Sequence, residues 1–211
     1  MNVIALDTAS PLPSVALLAG GEVFEEGLAS ERRASEDLIP ALQRCLSRSG
    51  LALEDFQRIA VCAGPGSFTG ARIGLASAWG LGSALDIPAE AVSTLEAMAE
   101  AARESGAANV TTALDAGKGQ IVLAVFSLEE PRARALGEIS RVGREEALQL
   151  AAAGALFCLP PDLLAGARAP VSSLARALAL ASARAPREAS PFPPRALYSR
   201  PSAAEEKRGA P

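Results

Sequence analysis

The 211-residue chain contains no histidine. Imidazole is the usual general base near neutral pH and the commonest metal ligand. Every Ser-His-Asp or Cys-His catalytic arrangement, and every zinc or iron site that needs imidazole, is therefore excluded from the sequence alone. Cysteine is scarce too. Cys45, Cys62 and Cys158 are widely spaced with no C-x-x-C pair, which gives neither a disulfide framework nor a metal knuckle and points to a reducing cytoplasm. There is no excess of positive charge. Acidic residues number 24 against 20 basic ones, a formal net charge of -4, so the chain lacks the basic footprint of a protein that grips nucleic acid unaided. Among the basic residues only Lys118 and Lys207 are lysine, and this arginine skew, together with abundant alanine, reads as GC-rich coding and not as function. Long apolar runs are missing as well. The longest uncharged stretch, Ala147–Pro161, falls short of the roughly 20 residues of a spanning helix, and Met1–Asp7 has no basic leader character, so neither a signal peptide nor a membrane segment is expected.

What is present, at 49% apolar composition, fits one or two small globular domains. Three short runs open the chain, Asn2–Leu6, Ser14–Ala19 and Glu22–Leu28, and Gly20-Gly21 between the last two is a hairpin signal. The period then changes. Leu38, Ile39, Leu42, Cys45 and Leu46 recur at helical spacing over Ser35–Ser49, with Gly50 as the stop. A strand at Arg58–Ala63, a helix at Ala71–Leu85, a strand at Ala89–Val92 and a helix at Thr94–Arg103 complete a first unit, residues 1–105.

The second unit, residues 106–211, opens like the first. Ala5-Leu6-Asp7-Thr8-Ala9 recurs as Ala113-Leu114-Asp115-Ala116-Gly117, and an alternating apolar run follows each, Val15–Ala19 and Ile121–Phe126, at an offset that suggests duplication of one αβ unit. Strands near Leu136–Ser140 and Ala155–Cys158, helices at Arg144–Ala152 and Ser172–Ala183, a Pro-rich linker at Pro186–Pro194 and a polar tail are expected after it.

The densest local signal is Gly64-Pro65-Gly66-Ser67-Phe68-Thr69-Gly70, at a strand-to-helix turn. It is no P-loop, because Ala71-Arg72 follows where Lys and Ser or Thr are required; Thr69 breaks the dinucleotide fingerprint and Pro65 the nucleophile elbow. Two readings stay open: a rigid turn whose Ser67 or Thr69 caps the next helix, or an anion held by that helix N-terminus. Asp7 and Asp115, each at a strand end, are candidate carboxylates for a magnesium nucleotide with Thr8 beside them, although the first hairpin lacks the expected phosphate-cradling glycine. The helix after the turn carries Gly70, Gly74, Ala78 and Gly82 at four-residue intervals. Glycine within a helix costs about 1 kcal/mol relative to alanine, so this stripe calls for close approach of another element, from the same chain or another subunit.

These segments taken together resemble the bacterial TsaB (YeaZ) family. The resemblance is carried by Ile4–Ala9, by Ser35-Glu36 with Leu38-Ile39-Pro40, by the run from Gly64 to Gly74, by Val92-Ser93-Thr94-Leu95, by Leu114-Asp115-Ala116 and by Tyr198-Ser199-Arg200. It implies an α/β, two-lobed fold of duplicated ribonuclease H-like halves in the actin-like ATPase superfamily, with mixed sheets flanked by helices. It further implies a non-catalytic subunit without cofactor or metal that pairs with the paralogue TsaD, and with the ATPase TsaE, to support threonylcarbamoyl transfer to the tRNA adenosine next to the anticodon. On this reading tRNA is met only within the complex, and a homodimer forms when TsaD is missing. Ala34 stands where members of the family commonly carry histidine. The partner surface is expected on the two first-lobe helices and the turn between them, at Leu38, Leu42, Cys45, Gly64, Gly66, Ser67, Thr69, Gly70, Gly74 and Ala78, with Asp7, Thr8 and Asp115 a nucleotide vestige. The alternative is an actin-like nucleotide-binding enzyme that uses Asp7 and Asp115.

Overall fold

In the computed structural model, residues 1–29, 33–151, 154–188, 190 and 196–197 are described. The first sheet runs β3-β2-β1-β4-β5, built from β1 (Val3–Asp7), β2 (Ser14–Ala19), β3 (Glu22–Gly27), β4 (Arg58–Cys62) and β5 (Ala89–Val92). Of the three N-terminal strands β2 runs antiparallel to both β1 and β3, with Gly20-Gly21, both at positive φ, joining β2 to β3, and β4 and β5 run parallel to β1. Helix α1 (Ala34–Ser49) ends as its sequence foretells, with Gly50 left-handed at φ 70 and its N–H on Leu46 O at 3.0 Å. Helix α2 (Phe68–Leu85) and α3 (Thr94–Ala101) follow β4 and β5.

The second sheet repeats the arrangement. Its β6 (Asn109–Gly117) and β7 (Gln120–Ser127) form an antiparallel hairpin, and β10 (Ala155–Leu159) lies parallel to β6 as β4 lies parallel to β1. Ala5-Leu6-Asp7 and Ala113-Leu114-Asp115 thus sit on equivalent strands of the two sheets, the topological form of the echo in the sequence. Two short strands, β8 (Arg134–Ala135) and β9 (Ser140–Gly143), pair side by side with β7 in place of the strand expected over Leu136–Ser140. The apolar Leu136 and Ile139 that suggested that strand are 47% and 49% exposed in the connection between the two. Helix α4 (Arg144–Leu150) and α5 (Leu174–Arg184) complete the described elements.

Strand periodicity sorts the side chains into layers. On β1, Ile4 and Leu6 face α1 and α2, whereas Val3 and Ala5 face the opposite way, into a layer made by α3 and α5. The other side of that layer is closed by Val110, Leu114, Val122, Ala124 and Phe126 of the second sheet, with α4 outermost. The central sheet is therefore apolar on both faces, as its unbroken buried strands require. Alanine fills the middle layer: Ala97, Ala99, Ala101 and Ala102 of the α3 segment and Ala175, Ala177 and Ala179 of α5 are all 5% exposed or less. The alanine excess, read from composition as coding bias, is what lets two helices pack flat between two sheets.

Candidate functional site

Helix α2 and the turn before it are fixed by close backbone contacts that leave no room for side chains. A Cβ on Gly66 would strike the Ala9 carbonyl, and one on Gly70 the Thr8 carbonyl. Gly64 sits against the backbone of Leu197. Ser67 N–H donates to Ala9 O at 2.8 Å, and its hydroxyl accepts from Gly70 N–H at 3.1 Å, so Ser67 is the helix cap. The helix accordingly starts at Phe68, three residues before the sequence expectation, because Thr69 and Gly70 already belong to its first turn. Thr8 Oγ1 donates to Gly70 O at 2.6 Å and ties the end of β1 to that turn.

Asp7 is fully buried, and its carboxylate is already occupied. Oδ1 accepts from the Ala9 and Ser10 N–H groups at 3.1 Å each, and Oδ2 accepts from the Ser10 hydroxyl at 2.5 Å. Burial raises its pKa above the ordinary carboxylate value, and these hydrogen bonds offset part of the rise. Asp115 is exposed and closes its own turn through Gly117 N–H at 2.7 Å. In the structure Asp7 and Thr8 hold the loop between β1 and β2 and the start of α2, while Asp115 belongs to a hairpin turn. Among the described residues, no group of three or more His, Cys, Asp or Glu is placed to hold a metal ion.

Most residues of the expected partner surface face inward. Leu38, Leu42 and Cys45 of α1 are buried against the first sheet, and Gly70, Gly74 and Ala78 are buried on the inner side of α2. The Gly70-Gly74-Ala78-Gly82 stripe answers to the chain's own strands: a Cβ on Gly74 would lie 2.5 Å from Thr8 Oγ1 and 3.2 Å from Val61 Cγ2, and one on Gly82 2.9 Å from Ile87 O. Gly64 is buried and Ser67 half-buried, which leaves Thr69 and Gly66 as the exposed members of the expected set.

A second stripe was overlooked. Ala76, Gly80 and Ala84 recur every fourth residue on the outer side of α2 and are all exposed, and among the described residues nothing lies within 4 Å of a Cβ built on Gly80. Arg72, its guanidinium 3.9 Å over the Phe68 ring, begins the same face, and Glu36, Ile39, Pro40 and Gln43 are exposed on the neighbouring α1. The spacing of the outer stripe was visible in the sequence. Which of the two stripes faces the sheet was not.

The sequence reading also missed a charged network at the junction of the halves. Glu90 of β5, with Glu96 and Glu100 of α3, is buried and engaged by Arg58, Arg103, Arg132, Arg184 and Arg187. Its signal was three glutamates within the otherwise uncharged Ala89–Ala102. The arginines, set aside with the coding skew, are their counterions.

Residues 28–160 match the family described as TsaD, tRNA N6-adenosine threonylcarbamoyltransferase. The chain is 39% identical over 131 residues to the tRNA threonylcarbamoyladenosine biosynthesis protein TsaB of Escherichia coli (strain K12), which covers 62% of this chain and 57% of that protein. It is 34% identical over 127 residues to the protein of the same name from Bacillus subtilis (strain 168), covering 60% and 55%. The chain thus spans little more than half the length of these curated relatives. Among solved structures, YeaZ from Pseudomonas aeruginosa superposes with a TM-score of 0.62 at 34% identity over 68% of each chain. A protein described as similar to peptidase YEAZ from Pseudomonas aeruginosa superposes with a TM-score of 0.72 at 29% identity, over 86% of this chain and 90% of that one.

Proposed function

The chain belongs to the TsaB (YeaZ) family, and on that premise we propose that it is a non-catalytic, cytoplasmic scaffold subunit for threonylcarbamoyl transfer to the tRNA adenosine next to the anticodon. Its partner in this reading is TsaD, held as a heterodimer, with TsaE joining as the ATPase and tRNA met only in the assembled complex. A second copy of this chain takes TsaD's place when TsaD is absent.

The observation that carries the reading is the outer face of α2. Ala76, Gly80 and Ala84 are exposed small residues on one stripe, and Gly80 serves no packing need among the described residues. A glycine inside a helix costs about 1 kcal/mol relative to alanine. A flat stripe of this kind lets the backbone of another helix approach closely. Leu38, Leu42, Cys45, Gly74 and Ala78 support this surface from beneath. The inward commitment of Asp7 speaks against the nucleotide-binding alternative, since both its oxygens are satisfied by the chain itself.

Light scattering on size-exclusion chromatography, applied to this chain, the cognate TsaD and their mixture, tests the proposal. A heterodimer peak that grows at the expense of any self-dimer, and that Gly80→Leu abolishes while leaving the far-ultraviolet circular dichroism unchanged, is the expected result. Two folded partners that fail to associate would overturn it.

A further inference from the structure

We propose that the segment following α5 is a strap that holds the turn before α2, so that the orientation of the outer face of α2, and with it the affinity for the partner, depends on the backbone of Leu197. This rests on the scaffold reading and adds to it what sets the position of the partner face.

Among the described residues the course of the segment is fixed at Arg187, at Ser190 and at Leu197. Arg187 N–H donates to Glu90 Oε2 at 3.4 Å, and the Arg187 carbonyl accepts from Arg58 Nη1. Ser190 lies along β5, the last strand of the first sheet. Alternate carbonyls of that strand are spent on β4, since Pro88 O accepts from Ile59 N–H at 2.9 Å and Val92 O from Ala63 N–H at 2.8 Å. The backbone groups of Ala89 and Ala91 therefore point the other way, toward the open edge. Ser190 meets both: its N–H donates to Ala89 O at 3.0 Å, and its Oγ accepts from Ala91 N–H at 2.9 Å. Farther on, Leu197 N–H donates to Ala63 O at 2.7 Å, and Ala196 beside it packs against both apolar clusters that flank the first sheet.

Ala63 and Gly64 are where the chain leaves β4 for α2. Their backbone is held by Val92 O, by Thr94 N–H on Gly64 O at 2.8 Å and by Leu197 N–H on Ala63 O. The first two bonds come from the connection between β5 and α3, and the third from the strap. Gly64 has φ 98, and the Leu197 carbonyl stands where its side chain would begin, so glycine at this position answers to the strap as well as to the backbone angle. Ser67, which caps α2, follows three residues later. A shift at Gly64 is thus delivered to the first turn of α2, and a helix that moves as a rod carries it to Ala76, Gly80 and Ala84. The grip is made by backbone alone. The Leu197 side chain is 42% exposed and takes no part in the hydrogen bond, which gives the contact a signature: it needs the N–H of residue 197 and not its side chain.

The test compares two variants of the full chain. Leu197→Pro removes the N–H that Ala63 O accepts, and Leu197→Ala keeps it. Hydrogen exchange of each chain alone, read by mass spectrometry on peptides covering Gly64–Gly70, reports the turn, and surface plasmon resonance on immobilised cognate TsaD reports the affinity. In Leu197→Pro the turn should exchange about fivefold faster, the worth of one net hydrogen bond, and TsaD should bind more weakly by a similar factor. Exchange in α1 and the far-ultraviolet circular dichroism should match the parent, and Leu197→Ala should match it in every readout. Unchanged exchange in the turn, an unchanged affinity, or an equal effect of Leu197→Ala overturns the proposal. So does faster exchange spread evenly over α1 and the turn, because the strap would then serve general stability and not the position of α2. A parent chain that fails to bind TsaD overturns the scaffold reading instead, and exchange in the turn then decides by itself whether Leu197 holds it.

Discussion

Two glycines on one helix should respond to alanine with opposite signs. At Gly74 the added methyl would meet Thr8 Oγ1 at 2.5 Å and Val61 Cγ2 at 3.2 Å, and Thr8 is fully buried with its hydroxyl committed to Gly70 O. Better helix propensity returns about 1 kcal/mol. Against it stand about 1–3 kcal/mol of overpacking and about 1 kcal/mol for the Thr8 hydrogen bond if the side chain must rotate. The balance is a loss of about 1–3 kcal/mol. At Gly80 nothing lies within 4 Å, so the same substitution keeps the propensity gain. For a chain of this length each kcal/mol moves the midpoint by roughly 2–4 °C. Differential scanning calorimetry should therefore place Gly74→Ala several degrees below the unaltered chain and Gly80→Ala a few degrees above it. A Gly74→Ala variant as stable as the parent, or shifts of the same sign in both, would refute the assignment of the inner stripe to the sheet.

Three further outcomes follow from buried groups. Arg132→Ala leaves Glu90 with Arg58 at 3.7 Å as its remaining side-chain counterion and should cost about 3–5 kcal/mol in urea denaturation; the double variant Arg132→Met/Glu90→Leu should recover part of that loss, and strict additivity would argue against the pair. Because burial raises the Asp7 pKa in the native state, the native chain keeps a proton that the unfolded chain has released. Its contribution to stability is therefore full below about pH 4 and is lost as pH rises through the native pKa. The stability of the parent relative to Asp7→Asn should decline over that interval, and a difference that widens with pH contradicts the assignment. Burial pushes the Cys45 and Cys158 thiols up to about 11 and Cys62 well above its ordinary value, with the Asp7 carboxylate adding to the effect at Cys62. A thiol reagent at pH 8 should thus label none of the three in the native chain and all of them in denaturant; rapid labelling of the native chain would contradict this.

Much of the architecture was legible because local signals agreed with the global fold. Gly20-Gly21 marked the β2–β3 hairpin, Gly50 stopped α1, and the echo between Asp7 and Asp115 marked equivalent strands. Hydrophobicity misled where tertiary pairing decided the outcome: β8 and β9 are held by the backbone of β7, while Leu136 and Ile139 point no strand into the core. The site was less legible than the fold. A four-residue spacing of small side chains identifies a close approach but not its partner, and α2 carries two such stripes, one spent on Thr8 and Val61 and one left outside. The arginine network escaped because composition offered a sufficient reason for arginine, and no local pattern ties Arg132 to a glutamate 36 residues before it.

The layer shared by α3 and α5 has a consequence for the order in which the chain can be made. The sheet that is synthesised first presents Val3, Ala5, Ala16 and Ala60 to a helix that leaves the ribosome last among the described elements. Until α5 arrives, that face of the sheet lacks one of the two helices of the layer it looks into. The nascent N-terminal half must therefore wait, partly open, until α5 has been made, and its folding is tied to the second half instead of proceeding domain by domain.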